Sequence, residues 1–321
     1  MKIAYKPVPI LRGQHIETMV PGLFRKPKKI SPRKETINTP DDDFLELDWY
    51  EKNSSTLAII SHGLEGSSDR AYMKGMAKIF NDHNYDAVCW NYRGCGSRIN
   101  NKPILYHSGA TYDLATVIEH AINLGYEKII LIGFSLGGNI TLKYSGEQGT
   151  DIPRQIKCII AFSVPLDLSA GCRQISEPSN WLYANRFLKN LKAKIRLKHK
   201  QFPDKISLNG LENVRDLRTF DNLYTGPLHG FADANEYYSK CSSIKFLDTI
   251  NIPTLIVNAK NDPFLPDECY PYDIIAHIEN ITFETPEHGG HVGFMEFNSR
   301  GYYWSEQRAL TFAIEHTEWQ E

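Results

Sequence analysis

Short apolar runs alternate along this chain with stretches whose apolar side chains recur at helical spacing. The runs are typical of strands and the spaced stretches of amphipathic helices. Strands are predicted at residues 44–50, 57–61, 87–90, 128–132, 158–162, 254–257 and 281–284, and helices at 71–81, 111–124, directly after 135, and at 303–316. This alternation predicts an α/β fold with a mostly parallel central sheet and helices on both faces. Residues 44–50 and 57–61 also predict a β-hairpin that feeds this sheet.

The rhythm is interrupted in two places, which suggests how the chain is divided. Residues 1–34 are rich in proline and lysine and are interpreted as an N-terminal arm packed on the core. Residues 165–240 combine aromatic side chains with a basic stretch at 189–200, and they predict a helical cap inserted over the sheet. The core is then formed by residues 35–164 and 241–321.

Composition narrows the class of protein. The chain has 321 residues, 41% hydrophobic and 23% charged, which is ordinary for a globular protein with one large core. Its net charge of −2 argues against a nucleic-acid partner and favours a small molecule. The basic run at 25–29 is interpreted as a solvated loop rather than as a peripheral membrane contact.

Cysteine usage and hydropathy suggest where the protein works. The six cysteines form no C-x-x-C pair or metal-like cluster, so reduced thiols, no metal and no other cofactor are expected. No apolar stretch approaches the roughly 18 residues of a membrane span, and no secretory signal is evident. A cytoplasmic location is therefore expected.

Ser135 lies in the segment Gly133-Phe134-Ser135-Leu136-Gly137, directly after the apolar run at 128–132. A G-x-S-x-G segment between a strand and a helix is the nucleophile elbow of serine hydrolases. The turn is so sharp that a Cβ two residues before or after the serine would collide with backbone, which explains the glycines. Ser135 is therefore the predicted nucleophile.

A serine nucleophile needs a histidine base and an acid that orients it, in the chain order Ser, Asp, His. Asp262 follows the predicted strand at 254–257, and we prefer it as the acid over Asp267 and Asp273, which lie further from that strand. Two histidines follow the last predicted strand. His291 is preferred as the base because two glycines precede it, and His288 is interpreted as a loop residue.

Two backbone amides are predicted to form an oxyanion hole. The N–H of Leu136 lies at the start of the helix that follows Ser135. The second donor is expected from the loop after the strand at 57–61, where His62-Gly63-Leu64 resembles the oxyanion loop of lipases and esterases. We assign it to the N–H of Leu64. A phosphate cradle is the rival interpretation, but no Walker lysine follows.

Several segments together resemble one family. They are His15-Ile16-Glu17-Thr18 and the segments at 62–66, 91–96, 106–111, 133–139, 227–231 and 288–294. They resemble the AB hydrolase 4 family of α/β-hydrolases, which includes the YheT-like hydrolases and fungal medium-chain ethanol acyltransferases. The resemblance implies hydrolysis of short- to medium-chain carboxylic esters, with Ser135, Asp262 and His291 at the triad positions.

Three functions remain open at this point. The first is a serine esterase that works through an acyl-enzyme. The second is an acyl-CoA:alcohol acyltransferase or a thioesterase with the same triad, for which the stretch at 189–200 could bind phosphate, although a solvated helix face is the more ordinary interpretation. The third is an inactive hydrolase fold that acts as a binding protein. The sequence suggests no role for Cys95 or His107.

Overall fold

Eight strands form one sheet in the computed structural model, which describes residues 4–27, 30–297 and 300–317. The strands are β1 (Arg33–Asn38), β2 (Phe44–Tyr50), β3 (Thr56–Ser61), β4 (Asp86–Asn91), β5 (Lys128–Phe134), β6 (Ile156–Phe162), β7 (Thr254–Val257) and β8 (Ile281–Glu284). Their order in the sheet is β1-β2-β4-β3-β5-β6-β7-β8. All pairs from β4 to β8 are parallel, whereas β2 is antiparallel to both neighbours. The predicted mostly parallel sheet is confirmed.

Helices cover both faces of the sheet. The α-helices are α1 (Gln14–Phe24), α2 (Ala71–Asp82), α3 (Thr111–Asn123), α4 (Leu136–Gln148), α5 (Leu168–Ile175), α6 (Trp181–Gln201), α7 (Leu217–Phe220), α8 (Gly226–Leu228), α9 (Ala234–Cys241), α10 (Tyr272–Ile275) and α11 (Trp304–Thr317). Alternate residues of β3 point to opposite faces. Leu57 and Ile59 pack in the apolar cluster that includes α3 and α4, whereas Ala58 and Ile60 pack with α2 and α11. Burial on both faces explains why the central strands are continuous apolar runs.

The predicted hairpin of β2 and β3 is wrong. β4 lies between them, and its Val88 pairs with Trp49 of β2 on one side and Ile59 of β3 on the other. The hairpin partner of β2 is β1, a strand that the hydrophobic pattern did not reveal because only Ile37 in it is buried. Alternation identifies a strand but not its neighbour, which depends on contacts between distant segments.

The predicted N-terminal arm contains the first helix and the beginning of the first strand. Residues 14–24 form α1, and the predicted boundary at residue 34 falls inside β1. Arg25 belongs to the basic run at 25–29, which was predicted to be solvated. Its side chain is 8% exposed, pairs with Glu306 and lies 3.7 Å from the ring centre of Tyr303. Lys28 and Lys29 lie outside the described residues. The interpretation of residue 25 as solvated is therefore wrong.

Helices α5 to α9 all lie between β6 and β7, and we call residues 168–241 the inserted segment. Fifteen of its side chains form an apolar cluster that is joined from the core by Leu105. The members from the inserted segment are Leu168, Cys172, Leu188, Leu191, Ile195, Ile206, Leu211, Val214, Leu217, Phe220, Tyr224, Ala234, Tyr237, Tyr238 and Cys241. A separate apolar cluster supports the prediction of a cap at 165–240.

The basic stretch at 189–200 is only partly solvated. Lys198 is fully buried, and its Nζ donates to the carbonyl of Asn100 at 2.6 Å. Burial lowers the pKa of Lys198 to about 8. Lys194 pairs with Glu65 at 2.7 Å. These two lysines therefore fasten α6 to the core and are not available for a phosphate.

Two further features concern the chain as a whole. All six cysteines are buried, and none of them is joined in a disulfide in the structure. Among the helices of the described residues, none is long and apolar enough to cross a membrane.

Candidate active site

Ser135 occupies a strained position between β5 and α4. Its φ of 53° and ψ of −119° are rare for a residue with a side chain, and such strain concentrates at functional sites. A Cβ on Gly133 would lie 2.4 Å from the carbonyl oxygen of Gly137, and a Cβ on Gly137 would lie 2.5 Å from that of Ser61. Only glycine fits at both positions, so the backbone can present Ser135 on this turn.

His291 and Asp262 form a hydrogen-bonded pair. The Nδ1 of His291 lies 2.8 Å from Oδ2 and 3.1 Å from Oδ1 of Asp262, whose carboxylate is buried. Nδ1 therefore carries the proton and donates it to the carboxylate, which leaves Nε2 as an acceptor. The structure thus pairs His291 with Asp262 rather than with Asp267 or Asp273.

Ser135 and His291 line one cavity of about 300 Å³. Its walls come from α1, from the inserted segment and from core residues at 63–66, 70–72, 264, 291–292 and 303. Phe264 packs against the imidazole, with ring centres 4.3 Å apart. The predicted nucleophile and base therefore open into the same cavity.

The two predicted oxyanion donors lack an acceptor in the described part of the chain. The N–H of Leu64 and that of Leu136 donate to no protein oxygen there, although the neighbouring N–H groups of the first loop are engaged. Gly63 donates to the hydroxyl of Tyr72 at 3.0 Å, and Glu65 donates to that of Tyr106 at 2.8 Å. Leu64 also lines the cavity.

His62 holds this loop in place and is not a base. It is fully buried, and desolvation lowers its pKa to about 3. Its Nδ1–H donates to the carbonyl of Gly63 at 2.8 Å, and its Nε2 accepts from the N–H of Tyr92 at 3.3 Å. Both nitrogens are used by backbone, so the imidazole fixes the loop geometry.

Sequence reasoning missed the contacts between α1 and the histidine loop, residues 288–294. The hydroxyl of Thr18 accepts from the N–H of His291 at 2.9 Å and donates to the carbonyl of Gln14 at 2.6 Å. The Oε2 of Glu17, which is 3% exposed, accepts from the N–H of Gly289 at 3.1 Å. The first helix is thus bonded directly to the loop that carries His291.

Two further side chains complete this contact. Asn261 donates from Nδ2 to Glu17 and accepts at Oδ1 from the N–H of Gly290 at 3.0 Å. His288, predicted to be a loop residue, lies 3.3 Å from the other oxygen of Glu17. The segment at 15–18 was among those that carry the family resemblance, but nothing local in it indicates a contact with residues some 270 positions away.

Cys95 and His107 are not among the residues that line this cavity. The sulfur of Cys95 accepts from Nζ of Lys194 at 3.0 Å, so it belongs to the contact between core and inserted segment. His107 is buried with its ring centre 4.4 Å from that of His229. Burial lowers the pKa of His107 well below its usual value and that of His229 to about 4. Both histidines are therefore neutral packing residues of this contact.

The mostly parallel sheet, the serine turn and the following helix define the class of protein. A family model described as alpha/beta hydrolase fold matches residues 59–297, and the chain belongs to that family. The Pyrococcus furiosus esterase PF2001 has a similar fold, with a TM-score of 0.61 at 18% identity over 90% of this chain and 91% of that one.

Sequence relatives specify the group within the family. The chain is 33% identical over 288 residues to the Escherichia coli protein named "Putative esterase YheT", covering 88% of this chain and 84% of that protein. It is 28% identical to mouse phospholipase ABHD3, covering 89% and 71% of the two chains. It is 30% identical to a monoacylglycerol lipase of Saccharomyces cerevisiae, covering 89% and 64%. The resemblance to YheT-like hydrolases is confirmed.

Proposed function

We propose that the protein is a serine carboxylic-ester hydrolase that acts on short- to medium-chain acyl esters. The observation that carries the proposal is the cavity shared by Ser135 and His291, with the His291 imidazole bonded to Asp262 at 2.8 Å. The relatives named as esterase, phospholipase and monoacylglycerol lipase support ester chemistry.

The first half-reaction forms an acyl-enzyme. Nε2 of His291 takes the proton of Ser135 Oγ while the oxygen attacks the ester carbonyl, and the N–H groups of Leu64 and Leu136 bind the resulting oxyanion. Asp262 stabilises the imidazolium. The tetrahedral intermediate then breaks its bond to the alcohol oxygen, which leaves with the proton from His291.

The second half-reaction returns the enzyme to its starting state. His291 takes a proton from water as the water oxygen attacks the acyl carbonyl, and the same two amides bind the new oxyanion. Collapse breaks the bond to Ser135, whose oxygen recovers the proton from His291. The carboxylic acid is released, and every proton is accounted for.

The cavity supports a limited chain length. Its volume of about 300 Å³ lies at the lower end of the range of about 300–1,000 Å³ for ligand pockets. Ile175, Leu182 and Phe187 of the inserted segment supply an apolar wall for an acyl chain. In the stretch at 189–200, which was considered as a binding site for a CoA phosphate, Lys194 and Lys198 are bonded to the core instead. We therefore prefer hydrolysis to acyl transfer from CoA.

The test combines a fluorophosphonate probe with para-nitrophenyl esters of increasing chain length. We expect Ser135 to be labelled, and Ser135→Ala to lose labelling and at least about 10³-fold in turnover, as removal of a triad nucleophile does. The control is Ser145, which is buried on α4, the helix directly after the serine turn. Ser145→Ala should keep both the labelling of Ser135 and the turnover. Labelling that survives in Ser135→Ala would refute the assignment, and an unlabelled, folded wild type would favour a binding protein.

A further inference from the structure

The charged side chains of the catalytic cavity do not balance. Among the residues that the structure describes, four charged side chains line it: Arg25, Arg70, Arg186 and Glu65. Arg25 is paired with Glu306, and Glu65 is paired with Lys194 at 2.7 Å. These two pairs are internally neutral. The remaining wall charge is therefore that of two guanidinium groups.

Arg70 and Arg186 have no carboxylate partner in the part of the chain that the structure describes. Arg70 is half-buried, and its Nη2 donates to the carbonyl of Glu65 at 3.0 Å, which holds it beside the loop of the proposed oxyanion donor Leu64. Arg186 is exposed and projects from α6, on the side of the helix that also presents Leu182 to the cavity. One guanidinium thus comes from the core and the other from the inserted segment.

This positive wall is a local feature, since the whole chain carries a net charge of −2. A guanidinium presents five N–H donors in a planar fork that matches a carboxylate or a phosphate. In a cleft with apolar walls its field is screened less than at an open surface. Two guanidinium groups that have no carboxylate partner among the described residues, one half-buried and one exposed beside apolar walls, are therefore the chemistry of anion recognition.

We propose that the ester substrate carries an anionic group, a carboxylate or a phosphate, which Arg70 and Arg186 bind inside the catalytic cavity. The inference rests on the proposed esterase function and specifies its substrate class. In such a substrate the apolar chain lies along Leu182 and Phe187 while the scissile carbonyl faces Ser135. The anionic group then selects this substrate against neutral esters of the same length.

The test uses two matched pairs of esters. Para-nitrophenyl hexanoate is compared with the para-nitrophenyl monoester of adipic acid, which places a carboxylate at the end of the acyl chain. Hexanoylglycerol is compared with hexanoylglycerol phosphate, which places a phosphate on the alcohol side. We expect at least one anionic ester to have a kcat/KM about tenfold or more above its neutral partner, the value of one charge-assisted hydrogen bond. The pair that shows the preference identifies the anion.

Two arginine variants and one control locate the effect. In Arg186→Gln and Arg70→Gln, the ratio of kcat/KM for the anionic ester to that for the neutral ester should fall about tenfold, chiefly through KM. Lys189 is exposed on α6 outside the cavity lining, so Lys189→Gln should leave the ratio within about twofold. Salt at about 0.5 M should lower the wild-type ratio because it screens the interaction.

Two results would overturn the inference. Equal kcat/KM within both ester pairs would mean that the cavity does not discriminate between charged and neutral substrates. An unchanged ratio of anionic to neutral kcat/KM in both arginine variants would mean that groups other than Arg70 and Arg186 bind the anion. Fluorophosphonate labelling of Ser135 separates this failure from failure of the esterase proposal. A labelled enzyme without charge preference refutes only the anionic substrate, whereas an unlabelled folded enzyme refutes the esterase itself.

Discussion

The two halves of the candidate site are built in different ways. The serine half is local: β5, the strained turn at Ser135 and α4 are consecutive in the chain. The histidine half is assembled from distant segments, because the loop of His291 is held by Thr18 and Glu17 of α1 and by Asn261 after β7. A local element is set by short-range sterics, whereas the second half depends on how the whole fold brings its parts together.

The histidine loop also contains strain of its own. Val292 has a φ of 60°, which is unusual for a β-branched residue, and its N–H donates to the hydroxyl of Ser163 at 2.9 Å. Phe294, with a φ of 41°, is fully buried against Phe162 and Trp304. The surrounding core therefore holds the loop in a conformation that its sequence alone disfavours.

The largest effect is expected from breaking the local half. In Gly137→Ala the new Cβ meets the backbone oxygen of Ser61 at 2.5 Å, so the elbow must shift. A displacement of about 1 Å costs about 10²-fold in turnover or more, and overpacking costs about 1–3 kcal/mol of stability. Turnover, fluorophosphonate labelling and thermal unfolding measure both. Activity within about twofold of wild type would show that the elbow tolerates a Cβ.

A smaller effect is expected from loosening the remote half. Thr18→Val keeps the shape of the side chain but removes the acceptor for the N–H of His291, and leaving this part-buried N–H without a partner costs about 1 kcal/mol. Without this hydrogen bond the imidazole of His291 is held less well in place. We therefore expect kcat to fall about tenfold while KM changes little. Steady-state kinetics on a neutral nitrophenyl ester measure both.

Thr18→Ser provides the control for that experiment. Serine retains the hydroxyl that accepts from His291 and donates to Gln14, so it should recover most of kcat. Equal kcat values in the valine and serine variants would show that the hydroxyl does not position His291 and that the two halves of the site are less different than the contacts indicate.

The last prediction concerns acid stability rather than turnover. His62 has a folded-state pKa of about 3, below its unfolded value, so the unfolded chain takes up its proton first as the pH falls. Stability from His62 is complete above the unfolded pKa and is lost between about pH 6.5 and 3, at about 1.4 kcal/mol per pH unit. His62→Gln should reduce this slope, measured by urea unfolding between about pH 6 and 4.

Asp221 acts in the opposite direction and is part of the same measurement. Burial raises its folded-state pKa to about 6, so its contribution grows as the pH falls from about 6 towards its unfolded value of about 3.9. The slope of stability against pH in the wild type is therefore the difference between the contributions of His62 and Asp221, which have opposite signs. A slope that is identical in wild type and His62→Gln would contradict the buried neutral state of His62.

The order of elements was largely predictable from the sequence. Strand β7 and strand β8 have the predicted bounds, α2 is one residue longer than predicted, and α11 is shifted by one residue at each end. This succeeded because hydrophobic period and turn residues are local signals. The pairing of β2 with β4 was not predictable, since either neighbour buries the same apolar face.

The sequence by itself determined the serine turn, because Gly133, Ser135 and Gly137 satisfy a steric requirement that is complete within a few residues. It also determined the order in which Ser135, Asp262 and His291 occur. Only the tertiary structure decided that Glu17 and Thr18 hold the histidine loop and that Arg70 and Arg186 line the cavity. Those contacts join segments far apart in the chain, and their energy depends on burial and distance, which no local pattern encodes.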